Sequence, residues 1–504
     1  MNYTAHDLSD TIVALATPAG AGAIGVIRLS GKDAIDIVNG VFKGKDLTKQ
    51  PTHTLHFGTI RDAEDKIIDE VVVGLFVEPK SYTGEDVVEV SCHGSRYIIQ
   101  ELIQLFIDKG ARLAQPGEFT MRAFLHGRMD LSQAEAVADL IASESRSQHD
   151  LAIRQMRGGF SDRIQGLRQE LIDFASLIEL ELDFAEEDVE FANRDNLRQL
   201  VLKIQSLIQE LIQSFQLGNV IKHGVSTVLA GRPNAGKSTL LNALLNEERA
   251  LVSEIAGTTR DTIEEVLNIQ GVPFRLIDSA GIRDAEDTIE AMGVERTLQK
   301  VQQSTLLVYI FDVIRTQPEE VRADLEKLVH PGVEVLVVAN KMDLNPYTKF
   351  EDYFGKAEEE SGKSEVGSRK LDSQGLAEEE PATAGASPGS AANGEWRIAK
   401  SQWIPVSAAN HMNLGYLKER LYQTVAARGL DLDNPIVTNS RHYEALRRAN
   451  ESLDAVLRGL DGEVTSDFVA MDIRQALYHL GEITGEISTD DLLENIFSNF
   501  CIGK

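Results

Sequence analysis

Residues 225–239 read VSTVLAGRPNAGKST, and the fold class follows from that stretch. Val225–Ala230 is an apolar run of strand length, Gly231 follows at once, and Leu240–Leu245 reads as the body of a helix. A glycine-bracketed turn between strand and helix lets successive backbone N–H groups wrap an anion at the positive end of the helix. Asn234, Ala235, Gly236, Lys237, Ser238 and Thr239 make up that turn and the first helical residues. Lys237 is placed to reach the β/γ oxygens of a nucleotide, and the Ser238 hydroxyl to bind Mg²⁺.

Further strings follow in a fixed order. GTTRD, Gly257–Asp261, offers a threonine that reaches Mg²⁺ when a triphosphate is bound. Asp278, Ser279, Ala280 and Gly281 close the strand Phe274–Ile277, where a carboxylate holds Mg²⁺ through water and a glycine N–H senses the γ-phosphate. Asn340, Lys341, Met342 and Asp343 end the run Val333–Asn340. The two acceptor oxygens of Asp343 suit the N1–H and amino group of guanine, a donor pair that adenine lacks. Ser407, Ala408 and Ala409 follow a later short strand, Trp403–Val406, and complete a base pocket. Together and in order these strings predict a GTPase. Ile282 stands where many small GTPases carry the glutamine that positions water, so hydrolysis is either slow or uses another group.

The whole chain has 504 residues, with 50 Lys+Arg against 79 Asp+Glu and a formal net charge of −29. At about 150 residues per domain this length predicts roughly three domains. A hydrophobic fraction of 42% excludes global disorder. No apolar run approaches the roughly 18 residues of a membrane span. No Lys or Arg precedes an apolar N-terminal core, and two cysteines, Cys92 and Cys501, exclude a disulfide framework. The expectation is a cytoplasmic protein with no membrane partner. Acidity also excludes a generic phosphate-binding groove, since Glu179–Glu190 holds seven carboxylates and no base. Contact with nucleic acid is then local, or shared with a basic partner.

Outward from the nucleotide motif, the pattern predicts four segments. Residues 1–120 read as α+β, with strands at Thr11–Ala16, Ile24–Leu29, Glu70–Val77 and Val87–Ser91 and a helix at Arg96–Asp108. Residues 121–218 read as helical, with Ile164, Leu167, Leu171, Phe174 and Ile178 at helical spacing. Residues 219–428 form the α/β unit, with an insertion over 351–395 too rich in Glu, Ser, Gly and Ala to bury a core. Residues 429–504 are helical again, up to the tail CIGK. The simplest assembly joins the two helical blocks and inserts a Ras-like P-loop α/β domain between them.

This order resembles the tRNA-modification GTPase family (MnmE, also called TrmE) over essentially the full length. The resemblance is carried outside the GTPase core by TPAGAGAIGVIRLSG (Thr17–Gly31), SYTGEDVVEVSCHGS (Ser81–Ser95), PGEFTMRAFLHGRMDLSQAEAVADLI (Pro116–Ile141) and the terminal CIGK. It implies a folate-binding and dimerising N-terminal domain, and a homodimer that works with the flavin- and NADH-binding partner MnmG (GidA) in a heterotetramer or larger complex. The implied reaction is partial formation of a 5-aminomethyl or 5-carboxymethylaminomethyl group on the wobble uridine of certain tRNAs, with a one-carbon unit from a tetrahydrofolate derivative (5-formyl or 5,10-methylene form).

By the same resemblance K⁺ replaces an arginine finger, held by Asn234 of the phosphate loop and by Ser253, Ile255 and Thr258 of a second loop that includes Glu254, Ala256 and Gly257. Thr259 then falls to Mg²⁺, and Glu290 is the catalytic glutamate that orients water. Arg28, Glu85 and Arg128 match folate contacts. The tail reaches the folate pocket, with Cys501 as a reactive thiol and Lys504 as a folate contact. Tyr82 or Phe119 is expected either to stack on the pterin or to lie in the core. Two other readings share the GTPase core: a GTP-dependent switch in ribosome assembly, and a folate-binding carrier regulated by GTP.

Overall fold

The structure is a computed structural model that describes residues 10–183, 194–249, 264–278, 304–330, 333–355, 398–426, 435–462, 466–498 and 500–503. It divides into two compact units. One holds Met1–Ser143, Gln148–Gly218 and Leu432–Lys504; the other holds Glu144–Ser147 and Asn219–Asp431.

The first unit opens with seven strands: β1 (Ile12–Leu15), β2 (Ile24–Ser30), β3 (Phe42–Lys43), β4 (Thr54–Arg61), β5 (Ile67–Phe76), β6 (Val87–His93) and β7 (Arg112–Leu113). They form one sheet in the order β3-β4-β5-β6-β2-β1-β7, in which only the β1–β7 pair is parallel. The helix Arg96–Asp108 buries Ile99, Leu102 and Phe106, spaced three and four apart, in the core formed with Ile27, Val73 and Val90. Strand β4 escaped the sequence reading because its apolar alternation runs the wrong way. Leu55 and Phe57 are exposed, whereas His56, Gly58 and Ile60 face inward.

Four helices of the same unit, Gly159–Asp183, Arg194–His223, Ser440–Asp461 and Ser466–Thr484, share a second core. Ile164 and Leu171, Val201 and Ile204, Leu446 and Leu453, and Ile473 and Leu480 all lie in it, so chain on both sides of the other unit builds one bundle. The two ends of that bundle's chain are tied where they meet. Val437 N–H donates to Ser214 Oγ at 3.0 Å, and Gln155 Nε2 donates to the Ile436 carbonyl at 3.0 Å.

The second unit carries β8 (Val225–Ala230), β9 (Glu264–Ile269), β10 (Val272–Asp278), β11 (Leu306–Asp312), β12 (Glu334–Asn340) and β13 (Trp403–Pro405). Their order is β13-β12-β11-β8-β10-β9, parallel except for the β9–β10 hairpin. Every residue of β11 is buried, as a central parallel strand covered on both faces requires. One face packs Leu240 and Leu244 of the helix Lys237–Arg249 and Leu417 and Leu421 of the helix Leu414–Ala426. The opposite face packs Val321 and Leu325 of the helix Pro318–Leu328.

The stretch expected as an insertion from residue 351 begins later. Phe350–Phe354 is a helix, with Phe350 and Tyr353 buried and the Tyr353 ring 5.5 Å from that of Trp403. Aromatics at 350, 353 and 354 give it a core face that bulk composition hides. The rest of that insertion, up to residue 395, falls within residues 356–397, which lie outside the described residues. Among the described residues no helix is long and apolar enough to cross a membrane.

Candidate functional site

Parallel strands with helices on both faces leave a crevice beyond their carboxyl ends, where the connecting loops converge. Gly231 leaves β8 with φ +152°, and a Cβ there would lie 2.0 Å from the Ile310 carbonyl oxygen. Gly236 has φ +93°, and a Cβ there would meet Asn340 Nδ2 at 2.3 Å. Only glycine fits either place, so the loop presents bare backbone to its mouth. The Lys237 ammonium caps the carbonyls of Gly231 at 2.6 Å and Arg232 at 3.1 Å, while Ser238 and Thr239 stand exposed in the first helical turn. Arg232 is anchored to Asp324 through Nε at 2.8 Å and to Glu320 on the helix Pro318–Leu328. This cradle of N–H groups, glycine and lysine fits a polyphosphate.

The loops after β12 and β13 meet the phosphate loop directly. Asn340 Nδ2 donates to the Ala235 carbonyl at 2.8 Å, and Asn340 Oδ1 accepts the Ala408 N–H at 3.0 Å. Lys341 Nζ donates to the Asn234 carbonyl at 3.0 Å and to Asp312 Oδ2 at 2.7 Å. Asp343 is exposed, and its Oδ1 accepts the buried Ser407 hydroxyl at 2.6 Å. A carboxylate steered in this way presents acceptors at the rim, as guanine recognition demands. Met342 and Ala408 are buried beneath it, and Ala409 is exposed.

In the N-terminal sheet, β2 and β6 pair Arg28 with Glu89. The Arg28 guanidinium donates to Glu89 Oε1 through Nε at 2.9 Å and Nη2 at 2.7 Å, and through Nη1 to the Gly503 carbonyl at 3.3 Å. It lies 5.6 Å from the Tyr82 ring centre and 5.7 Å from that of Phe119, within cation–π range. Beside it opens a cavity of about 410 Å³ lined by His53, Phe76, Lys80, Tyr82, Glu89 and Arg128, among others. Glu85 turns inward, accepting the Ser30 hydroxyl at 2.7 Å and Arg122 Nη1 at 3.0 Å. The chain's end docks here too, since Ile502 bridges to Pro116 and Gly117 N–H donates to the Cys501 carbonyl at 3.4 Å. Cys501 is exposed; Cys92 is buried, and burial first, then the charge of Asp69, pushes its thiol up to about 11.

Two families of known sequence match this chain. The GTP-binding protein TrmE N-terminus matches residues 11–128, and the MnmE helical domain matches residues 131–501. A tRNA modification GTPase MnmE from Cytophaga hutchinsonii is 54% identical over 501 residues, covering 99% of each chain. One of the same name from Christiangramia forsetii is 52% identical over 507 residues, covering 99% of this chain and 100% of its own. The chain belongs to the MnmE family.

The MnmE residues expected from sequence divide three ways. Asn234, Ala235, Gly236, Lys237, Asn340, Lys341, Asp343, Ser407 and Ala408 come together beyond the carboxyl ends of β8, β12 and β13, as the contacts above describe. Asp278 ends β10, paired with Leu229, though its side chain lies outside the described residues. Ser253, Glu254, Ile255, Ala256, Gly257, Thr258, Thr259, Ser279, Ala280, Gly281, Glu290 and Lys504 also lie outside the described residues. Of the expected MnmE folate contacts, Arg128 lines the cavity, Arg28 borders it through Glu89, and Glu85 is engaged behind it. Phe119 is fully buried, and Tyr82 is half-buried on the cavity wall.

Sequence reading missed Glu89, Arg122 and Asp312. Each acts through a partner remote in sequence: 61 residues separate Arg28 from Glu89, and 37 separate Glu85 from Arg122. For Glu89 a signal was present, because antiparallel alignment of two predicted strands sets an arginine opposite a glutamate.

Proposed function

We propose that this MnmE-family GTPase hydrolyses GTP to drive modification of C5 of the wobble uridine (U34) in certain tRNAs. It installs a (carboxymethyl)aminomethyl group together with the flavin-dependent partner MnmG, using a tetrahydrofolate one-carbon donor, and works in the cytoplasm as a homodimer. The observation that carries the nucleotide half is the direct bonding of Asn340 and Lys341 to the carbonyls of Ala235 and Asn234. It makes base loop and phosphate loop one recognition surface.

In this reading Asp343 accepts from guanine while Ser407 holds its carboxylate in place. Lys237 leaves its two loop carbonyls for the phosphates, where its charge offsets that growing on the β–γ bridge. Glu290 orients the attacking water. The exposed Ser238 hydroxyl and the exposed Asn234 amide oxygen suit hard cations, so Ser238 would hold Mg²⁺ together with Thr259, and Asn234 would hold K⁺ together with Ser253, Ile255 and Thr258. Both ions supply positive charge against the phosphate oxygens. The cavity beside Arg28 has the size of a small-molecule site, with Arg128 for a glutamate tail and Glu89 for a pterin's donor edge. Cys501 and Lys504 would reach it on the docked tail.

Nucleoside analysis of tRNA tests the reading. A strain lacking this gene should lose the C5-modified wobble uridine, and the intact gene should restore it. Unchanged nucleosides would leave the ribosome-assembly switch or the folate carrier in its place.

A further inference from the structure

Two adjacent carbonyls of the phosphate loop are held by the base loop, and a third residue stands behind one of those bonds. Lys341 Nζ bridges the Asn234 carbonyl and Asp312 Oδ2, at 3.0 and 2.7 Å. Asp312 is the last residue of β11 and only 3% exposed. Its second oxygen accepts the Ile314 N–H at 2.8 Å, so the carboxylate is fixed at both ends. Asn234 and Lys341 sit at φ +61° and +67°, a region that asparagine enters readily but lysine holds only against a steric penalty. Something must hold the lysine there.

We propose that Asp312 is a positioning residue of the nucleotide site, aiming Lys341 at the Asn234 carbonyl and so fixing the phosphate loop in register with the base loop. The inference rests on the guanine-nucleotide reading above and gives Asp312 no contact with the nucleotide itself. A buried carboxylate whose oxygens are both engaged is poorly placed for a metal, and a lysine without its counter-charge would be free to swing to solvent. Burial opposes the charge on Asp312, but the bonds from Lys341 and Ile314 outweigh it and keep the carboxyl below its usual range. Because the same residue, Asn234, offers its carbonyl to Lys341 and its side chain to the proposed K⁺ site, loosening the clamp disturbs both nucleotide retention and the K⁺ response.

Stopped-flow release of a fluorescent GDP from the full chain tests this, with wild type, Asp312→Asn, Lys341→Gln and the double variant compared. Asp312→Asn should speed release about tenfold, the scale of one lost charge-assisted hydrogen bond. The K⁺ concentration for half-maximal GTP turnover should rise several-fold. The GDP-over-XDP preference, set by Asp343, should stay within about twofold, and the double variant within about twofold of Lys341→Gln alone. The double variant replaces a half-buried charge pair with two amides, so it carries the test if Asp312→Asn does not fold. Unchanged release in Asp312→Asn, or a double variant that multiplies the two single effects, overturns the proposal while leaving the guanine reading intact. A wild type that retains no GDP overturns both.

Discussion

Glu135 shows how one buried carboxyl ties part of the fold's stability to pH. It sits on the helix Leu131–Ile141 and accepts Arg441 Nε at 3.1 Å and Nη2 at 2.9 Å, with His442 Nε2 at 2.8 Å. Burial opposes its charge, yet the adjoining His442, then Arg441, hold the carboxyl down at about 2. A carboxyl depressed in the folded state stabilises above its unfolded value and loses that contribution as pH falls toward the folded one. Glu135→Gln should therefore cost about 3 kcal/mol at pH 7. The gap to wild type should narrow as pH drops from about 4.5 toward 2, read by denaturant titration at each pH. Asp343→Asn should invert base preference from GTP toward XTP, measured as the ratio of the two affinities, because an amide donates where the carboxylate only accepts. Asp343 was legible in sequence because its chemistry is local to four consecutive letters. Glu135 was not, since its partners lie some 300 residues away (306 for Arg441) and no local pattern marks them.

Among elements, the β9–β10 hairpin joins the segment before Glu264 to Asp278 through an unbroken six-pair register. Its far turn, at Gln270 and Gly271, is pinned twice. Ser147 Oγ donates to the Gly271 carbonyl at 2.6 Å, and Gln270 Nε2 donates to Glu419 Oε2 at 2.9 Å. Ser147→Ala should destabilise the nucleotide-binding unit by about 1 kcal/mol, the net value of a neutral hydrogen bond, seen in its thermal midpoint. Strands flanking the nucleotide motifs were legible because buried parallel strands read as continuous apolar runs. The Ser147 bond was not, as nothing in a helix N-terminus announces which turn it will meet. Strand β4 shows the opposite failure, an alternation in which Leu55 and Phe57 face outward.

At the level of the whole molecule, each compact unit has cores of its own. Among the described residues, those of the nucleotide-binding unit draw on residues 220–425. Residues 219–431 expressed alone should fold, with a thermal midpoint lowered by the missing Ser147 bond, and retain GDP within about tenfold of the full chain. Fluorescence titration measures this, and loss of binding together with loss of cooperative unfolding would show that the unit needs the rest of the chain.

The bundle has a different consequence, for the order of events during synthesis. Its core needs Ile164, Val201 and Ile208 from one side of the nucleotide-binding unit and Leu446, Leu453 and Ile473 from the other. Roughly 220 residues separate the halves, so at about 5–20 residues per second a ribosome spends roughly 10–45 s between them. Throughout that interval the helices Gly159–Asp183 and Arg194–His223 carry apolar stripes with no second half to cover them. The nucleotide-binding unit can complete its own sheet meanwhile, but the bundle must wait, and its uncovered stripes are where a chaperone would bind the nascent chain.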